Sequence, residues 1–121
     1  MLIIRKEQIE VLSKNMKESF IIRMMVHLKK FWPERCEQLG NEAVRNSIYE
    51  GIEFTRMKGI TTEYDIARYI DLTYELHWPF GEMPPDPHVQ DILDDRELDG
   101  SMKMNRLYDL AGYHFVSNSL I

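Results

Sequence analysis

Apolar residues recur along the first quarter of the chain in steps of three and four. From about Lys6 to Lys30 they fall at Ile9, Leu12, Met16, Phe20, Met24 and Leu28, with Ile21 and Met25 beside them. That spacing lays one stripe along a 3.6-residue helix, and the doubled positions widen it. Glu10, Lys14 and Glu18 occupy the opposite side, with Glu10 and Lys14 in the favourable i,i+4 order. At 1.5 Å per residue such a helix runs ~37 Å, enough to serve as the spine of a small domain. Lys29 and Lys30 complement its C-terminal dipole, and Pro33 prevents simple continuation.

The pattern continues in shorter pieces. Pro33 opens a brief helical turn through Glu37 and Gln38 that Gly40 ends. Asn41 is placed to cap a second long helix reaching about Lys58, with Val44, Ile48, Ile52 and Thr55 inward and Gly59 as its left-handed terminator. Thr62 then reads as an N-cap, with Asp65 completing an approximate capping box and Ile60 forming part of a staple. Ile66, Tyr69, Ile70 and Thr73 give the helix that follows an apolar face out to about Leu76. From His77 to His88 the pattern breaks, because Pro79, Gly81, Pro84, Pro85 and Pro87 are too many interruptions for a helix interior. A short helix over about Pro87–Asp94 and a last one over about Ser101–Phe115 complete the chain. With strand signals nearly absent, the expected fold is all-α: a compact bundle of four to six helices with a long N-terminal helix and a Pro-rich loop. At 121 residues, one helical domain over 1–121 is expected.

Composition narrows the function. An apolar share of 44% supports a sizeable core and speaks against disorder. Cys36 is the single cysteine, which suits a reducing compartment and a buried small side chain better than a nucleophile, since no nearby base is placed to activate it. Three apolar residues at the start, Leu2-Ile3-Ile4, are too few for a signal-peptide core, and no run approaches the ~20 apolar residues of a membrane span. A cytoplasmic protein without membrane contact is expected. The net charge of −5 is divided unevenly: eleven Lys/Arg stand against eight Asp/Glu in residues 1–60, and four against twelve in residues 61–121. An acidic half without a basic stripe disfavours nucleic acid as a partner.

The candidate chemistry is thin. Asp95-Arg96-Glu97-Leu98-Asp99-Gly100 imitates the first half of an EF-hand loop, but Lys103 and Arg106 stand at the ninth and twelfth positions, where calcium needs oxygen ligands. A turn before a helix, capped by Asp99 or Ser101, is the expected reading. His27, His77, His88 and His114 form no HxxxH or HExxH pair, and no nucleophile elbow or glycine-rich phosphate loop is present. No catalytic residue, metal site or cofactor is therefore expected. The aromatic loop carries the partner-binding candidates His77, Trp78, Phe80 and Met83, to which the apolar C-terminal segment adds Tyr113 and Phe115. The competing reading is that Trp78 and Phe80 close the core beneath the loop.

Leu2-Ile3-Ile4-Arg5-Lys6-Glu7-Gln8, Gly59-Ile60-Thr61-Thr62-Glu63 and Arg68-Tyr69-Ile70-Asp71-Leu72 resemble a family of small helical proteins encoded beside type VI secretion spike and effector genes in Gram-negative bacteria. Phe31 with Pro33-Glu34, Ile92-Leu93, and Met104 with Arg106-Leu107-Tyr108 extend the likeness over most of the chain. The resemblance implies a protein-binding accessory, an adaptor or chaperone for an effector or spike component, and transfers no catalytic residues. An immunity protein that neutralises a cognate toxin is the alternative, and its acidic second half would suit a basic nuclease. A metal-dependent enzyme is a third reading, and self-association through the long first helix stays open.

Overall fold

The computed structural model describes residues 14–112, which form six helices and no strands: α1 (Lys14–Phe31), α2 (Pro33–Leu39), α3 (Asn41–Met57), α4 (Glu63–Leu76), α5 (Pro87–Asp94) and α6 (Gly100–Leu110). The all-α bundle expected from periodicity is the observed architecture. The part of the first helix expected before Lys14, including Ile9, Glu10 and Leu12, lies outside the described residues, as does the end of the last helix expected at Phe115.

Helix α1 buries Phe20, Ile21, Met24 and Leu28 completely, so the doubled stripe read from sequence is the core face. In α3, Val44, Ile48, Ile52 and Thr55 point inward as the spacing requires. Asn41 does not cap that helix. It is the first helical residue, and Gly40 (φ 85°, ψ 158°) serves both as the end of α2 and as the N-cap of α3, accepting the Val44 N–H on its carbonyl. Only glycine takes that φ without strain, so two helices meet with no loop between them. At the far end Lys58 caps α3 and Gly59 follows with φ 77°.

The centre of the bundle is α4 rather than α1. Every residue from Glu63 to Tyr74 is buried, polar ones included, and α1, α3 and α6 all pack against this helix. The sequence predicted a single apolar face. The outer faces are buried as well because Glu63, Asp65, Arg68 and Asp71 each find a partner on a neighbouring element. Thr62 caps α4 by accepting the Asp65 N–H (3.2 Å), and its hydroxyl donates to Asp65 Oδ2 (3.0 Å). Asp65 Oδ2 also accepts from Ser101 Oγ on α6 (2.7 Å). Asp99, not Ser101, is therefore the cap of α6, accepting from the Met102 N–H (2.8 Å). Gly100 meets the α3–α4 turn so closely that a Cβ there would stand 2.8 Å from the Gly59 carbonyl oxygen. The calcium-loop imitation is thus a capped turn pressed against the bundle.

Arg68 is the hub between α4 and α6. Its guanidinium, 2% exposed, donates to Asp65 Oδ1 (3.2 Å) and Asn105 Oδ1 (2.9 Å) and lies 5.2 Å and 4.9 Å from the ring centres of Tyr64 and Tyr108. Tyr108 Oη in turn donates to the Arg68 carbonyl (3.1 Å). Lys103 closes the other side. Its ammonium donates to the carbonyls of Lys58 (2.8 Å) and Leu93 (2.7 Å), which joins α6 to the ends of α3 and α5. A buried cation is tolerable here because carbonyls at helix C-termini lack intrahelical donors and carry the negative end of the dipole.

Candidate functional site

One end of the bundle gathers aromatic side chains from α1, the α1–α2 junction, α4 and the loop after it. Trp32 still donates its N–H to the Leu28 carbonyl (2.8 Å), but its backbone leaves the helical region (φ −131°, ψ 60°), as a residue before proline is driven to do. Pro33 then starts α2. Phe31 and Trp32 are consequently displayed at a corner, Phe31 49% exposed and Trp32 half-buried.

The end of α4 supplies the facing wall. His77 adopts the left-handed conformation (φ 56°, ψ 40°), and the N–H groups of His77 and Trp78 both donate to the Thr73 carbonyl. This tight stop turns the chain back over α4. Trp78 comes to rest 5.9 Å from the Tyr69 ring, and Phe80 stacks on Tyr74 at 5.3 Å and 29°. From α2, Arg35 donates to the carbonyls of Thr73 (3.1 Å) and Tyr74 (2.6 Å). Its guanidinium is 4.9 Å from the Tyr74 ring centre and 5.3 Å from that of Phe80. One arginine thus caps α4, holds α2 on it and fixes the aromatic loop.

Between these walls lies a surface pocket of about 370 Å³ lined by Phe31, Trp32, Pro33, Glu34, Arg35, Tyr74, Glu75 and His77. Close by in the interior, His27 Nε2 and Asp71 Oδ1 are 2.8 Å apart, and the His27 ring lies 4.8 Å from that of Phe31 and 6.3 Å from that of Trp32. Asp71 Oδ2 has no hydrogen-bond partner among the described residues. Burial pushes the Asp71 carboxyl above the ordinary range, and its hydrogen bond to His27 opposes that shift.

The residues singled out in sequence divide at this end. His77 reaches the pocket and is exposed. Trp78, Phe80 and Met83 are half-buried and packed against the core. Tyr113 and Phe115 lie outside the described residues. Phe31, Trp32, Arg35 and Tyr74 were not singled out, although an aromatic pair immediately before a helix-starting proline is a signal for side chains presented at a corner. His27 carried a signal too, since it falls on the buried stripe three residues after Met24.

No protein-family model, curated protein or solved structure matches this chain.

Two other chemically capable groups, Cys36 and Ser47, are committed to the fold. Cys36 is buried, which raises its thiol above the usual range and disfavours the thiolate. Ser47 Oγ lies 2.6 Å from the Val44 carbonyl and 2.7 Å from Tyr74 Oη. Among the described residues no three His, Cys, Asp or Glu side chains converge as a metal site would require, and no helix is long and apolar enough to cross a membrane.

Proposed function

We propose that this protein is a non-enzymatic, cytoplasmic accessory that binds another protein through the α1–α2–α4 corner. The observation that carries this reading is the half-exposed Phe31 ring beside Trp32, held over a pocket whose walls are fixed by Arg35 and the α4 terminus. Aromatic side chains presented on a rigid frame are the usual anchors of protein interfaces, because little conformational freedom is lost when they are covered. The resemblance of the Gly59–Glu63 and Arg68–Leu72 segments to the secretion-associated family supports a narrower form. In that form the partner is a type VI effector or spike protein held before export.

A second reading has its own observation. Asp91, Asp94, Asp95, Glu97 and Asp99 are all exposed on α5 and the turn after it, a surface suited to a basic toxin domain. An immunity protein would use that face. Co-expression separates the two: an adaptor changes delivery of the effector and leaves its toxicity intact, whereas an immunity protein rescues cells from it. Co-purification of the tagged chain with neither effector nor spike protein would overturn the adaptor reading.

A further inference from the structure

We infer that Asp71 is a positioning residue for the binding corner: acting through the His27 ring, it fixes how Phe31 and Trp32 are presented. This deepens the protein-binding reading and rests on it.

The chain of contact is short. His27 lies one helical turn before Phe31 on α1, and its ring stands 4.8 Å from that of Phe31 and 6.3 Å from that of Trp32. Packing alone does not set the imidazole, because a half-turn about its last side-chain bond exchanges carbon and nitrogen at nearly the same shape. The hydrogen bond from Nε2 to Asp71 Oδ1 (2.8 Å) selects one of the two orientations. Asp71 is flanked on the central helix by Ile70 and Leu72, both buried, and is a fixed point for that choice.

The carboxylate serves this contact and no other. Asp65, also buried on α4, is used at both oxygens: Oδ1 accepts from Arg68, and Oδ2 accepts from Thr62 and from Ser101 on α6. Asp71 is as deeply buried, at 2% exposure. Yet only its Oδ1 has a partner among the described residues, and that partner is the imidazole beside the corner. A buried carboxylate with an unsatisfied oxygen costs stability that an apolar side chain in its place would not, so a merely structural tie accounts for it poorly. Orienting the imidazole accounts for the one bond made. A ring held in one orientation gives Phe31, 49% exposed, a fixed surface to rest on. An anchor ordered in advance loses less freedom when a partner covers it.

The test follows the full chain by nuclear magnetic resonance. In wild type the His27 imidazole is expected in one orientation with Nε2 protonated; averaging between the two tautomers would overturn the inference without any variant. Asp71→Asn keeps an acceptor and should retain the wild-type Phe31 ring and Trp32 indole signals. Asp71→Leu cannot accept, and should move both toward the positions of freely exposed side chains while the Tyr108 ring on α6 keeps its own. Unchanged Phe31 and Trp32 signals in the leucine variant would overturn the inference, and so would an equal displacement of Tyr108, which would reduce Asp71 to a structural role. The second arm titrates type VI effector and spike proteins into wild type and both variants. Binding weakened by about three- to tenfold in Asp71→Leu and restored in Asp71→Asn is expected. Equal binding by all three sinks the positioning role and leaves the protein-binding reading standing, whereas no binding by wild type sinks the reading itself and the positioning role with it.

Discussion

His27 Nε2 and Asp71 Oδ1 stand 2.8 Å apart at 5% and 2% residue exposure, fastening α1 to α4 from inside the bundle. Removing the imidazole would leave the Asp71 carboxyl buried beside an apolar void. His27→Ala is therefore expected to cost about 3 kcal/mol or more, as for other broken buried pairs. Urea denaturation reads this directly, and a loss below about 1 kcal/mol would show that the pair is incidental.

The same pair sets a pH dependence. Burial raises the Asp71 carboxyl, while in the unfolded chain the group titrates near pH 4, at about 3.9. Between those two values the folded chain holds the proton more tightly. The stability Asp71 contributes is thus complete at low pH and is lost as pH rises through the folded value. Asp71→Asn keeps an acceptor for His27 and cannot ionise, so its stability relative to wild type should rise as pH climbs through that window. Denaturation at a series of pH values checks it; a relative stability that falls with rising pH has the wrong sign.

Arg68 and Lys103 place buried cations on opposite sides of α6, and each should be expensive to remove. Arg68→Ala abandons Asp65 and Asn105 and opens space between Tyr64 and Tyr108, for an expected loss of about 3–5 kcal/mol. Lys103→Met strands the Lys58 and Leu93 carbonyls, for about 2–3 kcal/mol. The comparison that matters is Lys58→Ala. Its Nζ makes an equally short contact, 2.8 Å to Asp94 Oδ1, but the Asp94 side chain is 59% exposed, so under about 1 kcal/mol is expected. Equal losses for Lys58 and Lys103 would mean that burial is not what gives these bonds their weight.

His77 is the one non-glycine residue with positive φ among the described residues. Its side chain resists the left-handed conformation that ends α4, and glycine would not. His77→Gly should raise stability by about 0.5–1 kcal/mol, the strain relieved less the added freedom of the unfolded chain. Thermal unfolding would detect a gain of that size, and a clear loss would show that the imidazole holds the turn by its own contacts.

Helix positions were legible in the sequence wherever an apolar stripe met a breaker. The stripe Phe20, Met24, Leu28 faces the core, Gly59 takes positive φ, and α5 runs from Pro87 to Asp94. What periodicity did not disclose was which helix lies at the centre. The apolar face over Ile66, Tyr69, Ile70 and Thr73 gave no sign that Glu63, Asp65, Arg68 and Asp71 are buried as well, because a polar residue is buried only when a partner far along the chain satisfies it. Those partners are Arg23, Ser101, Asn105 and His27. The pocket was hidden for the same reason. Phe31–Arg35 and Tyr74–His77 are about forty residues apart, and only the packing of α2 on α1 and α3, with Arg35 reaching across to the end of α4, brings them together. Of the residues read as binding candidates, His77 reaches the pocket, while Trp78, Phe80 and Met83 rest on the core.

The protein-binding reading turns on Phe31, which is exposed enough to be replaced without emptying the core. The direct measurement is calorimetric titration of type VI effector and spike proteins, the partners proposed above, into wild type and Phe31→Ala, with circular dichroism to verify that both are folded. Binding by wild type, weakened about tenfold or more in the variant, is the predicted result. Wild-type affinity retained in a folded Phe31→Ala protein would place the contact elsewhere and contradict the assignment of this corner.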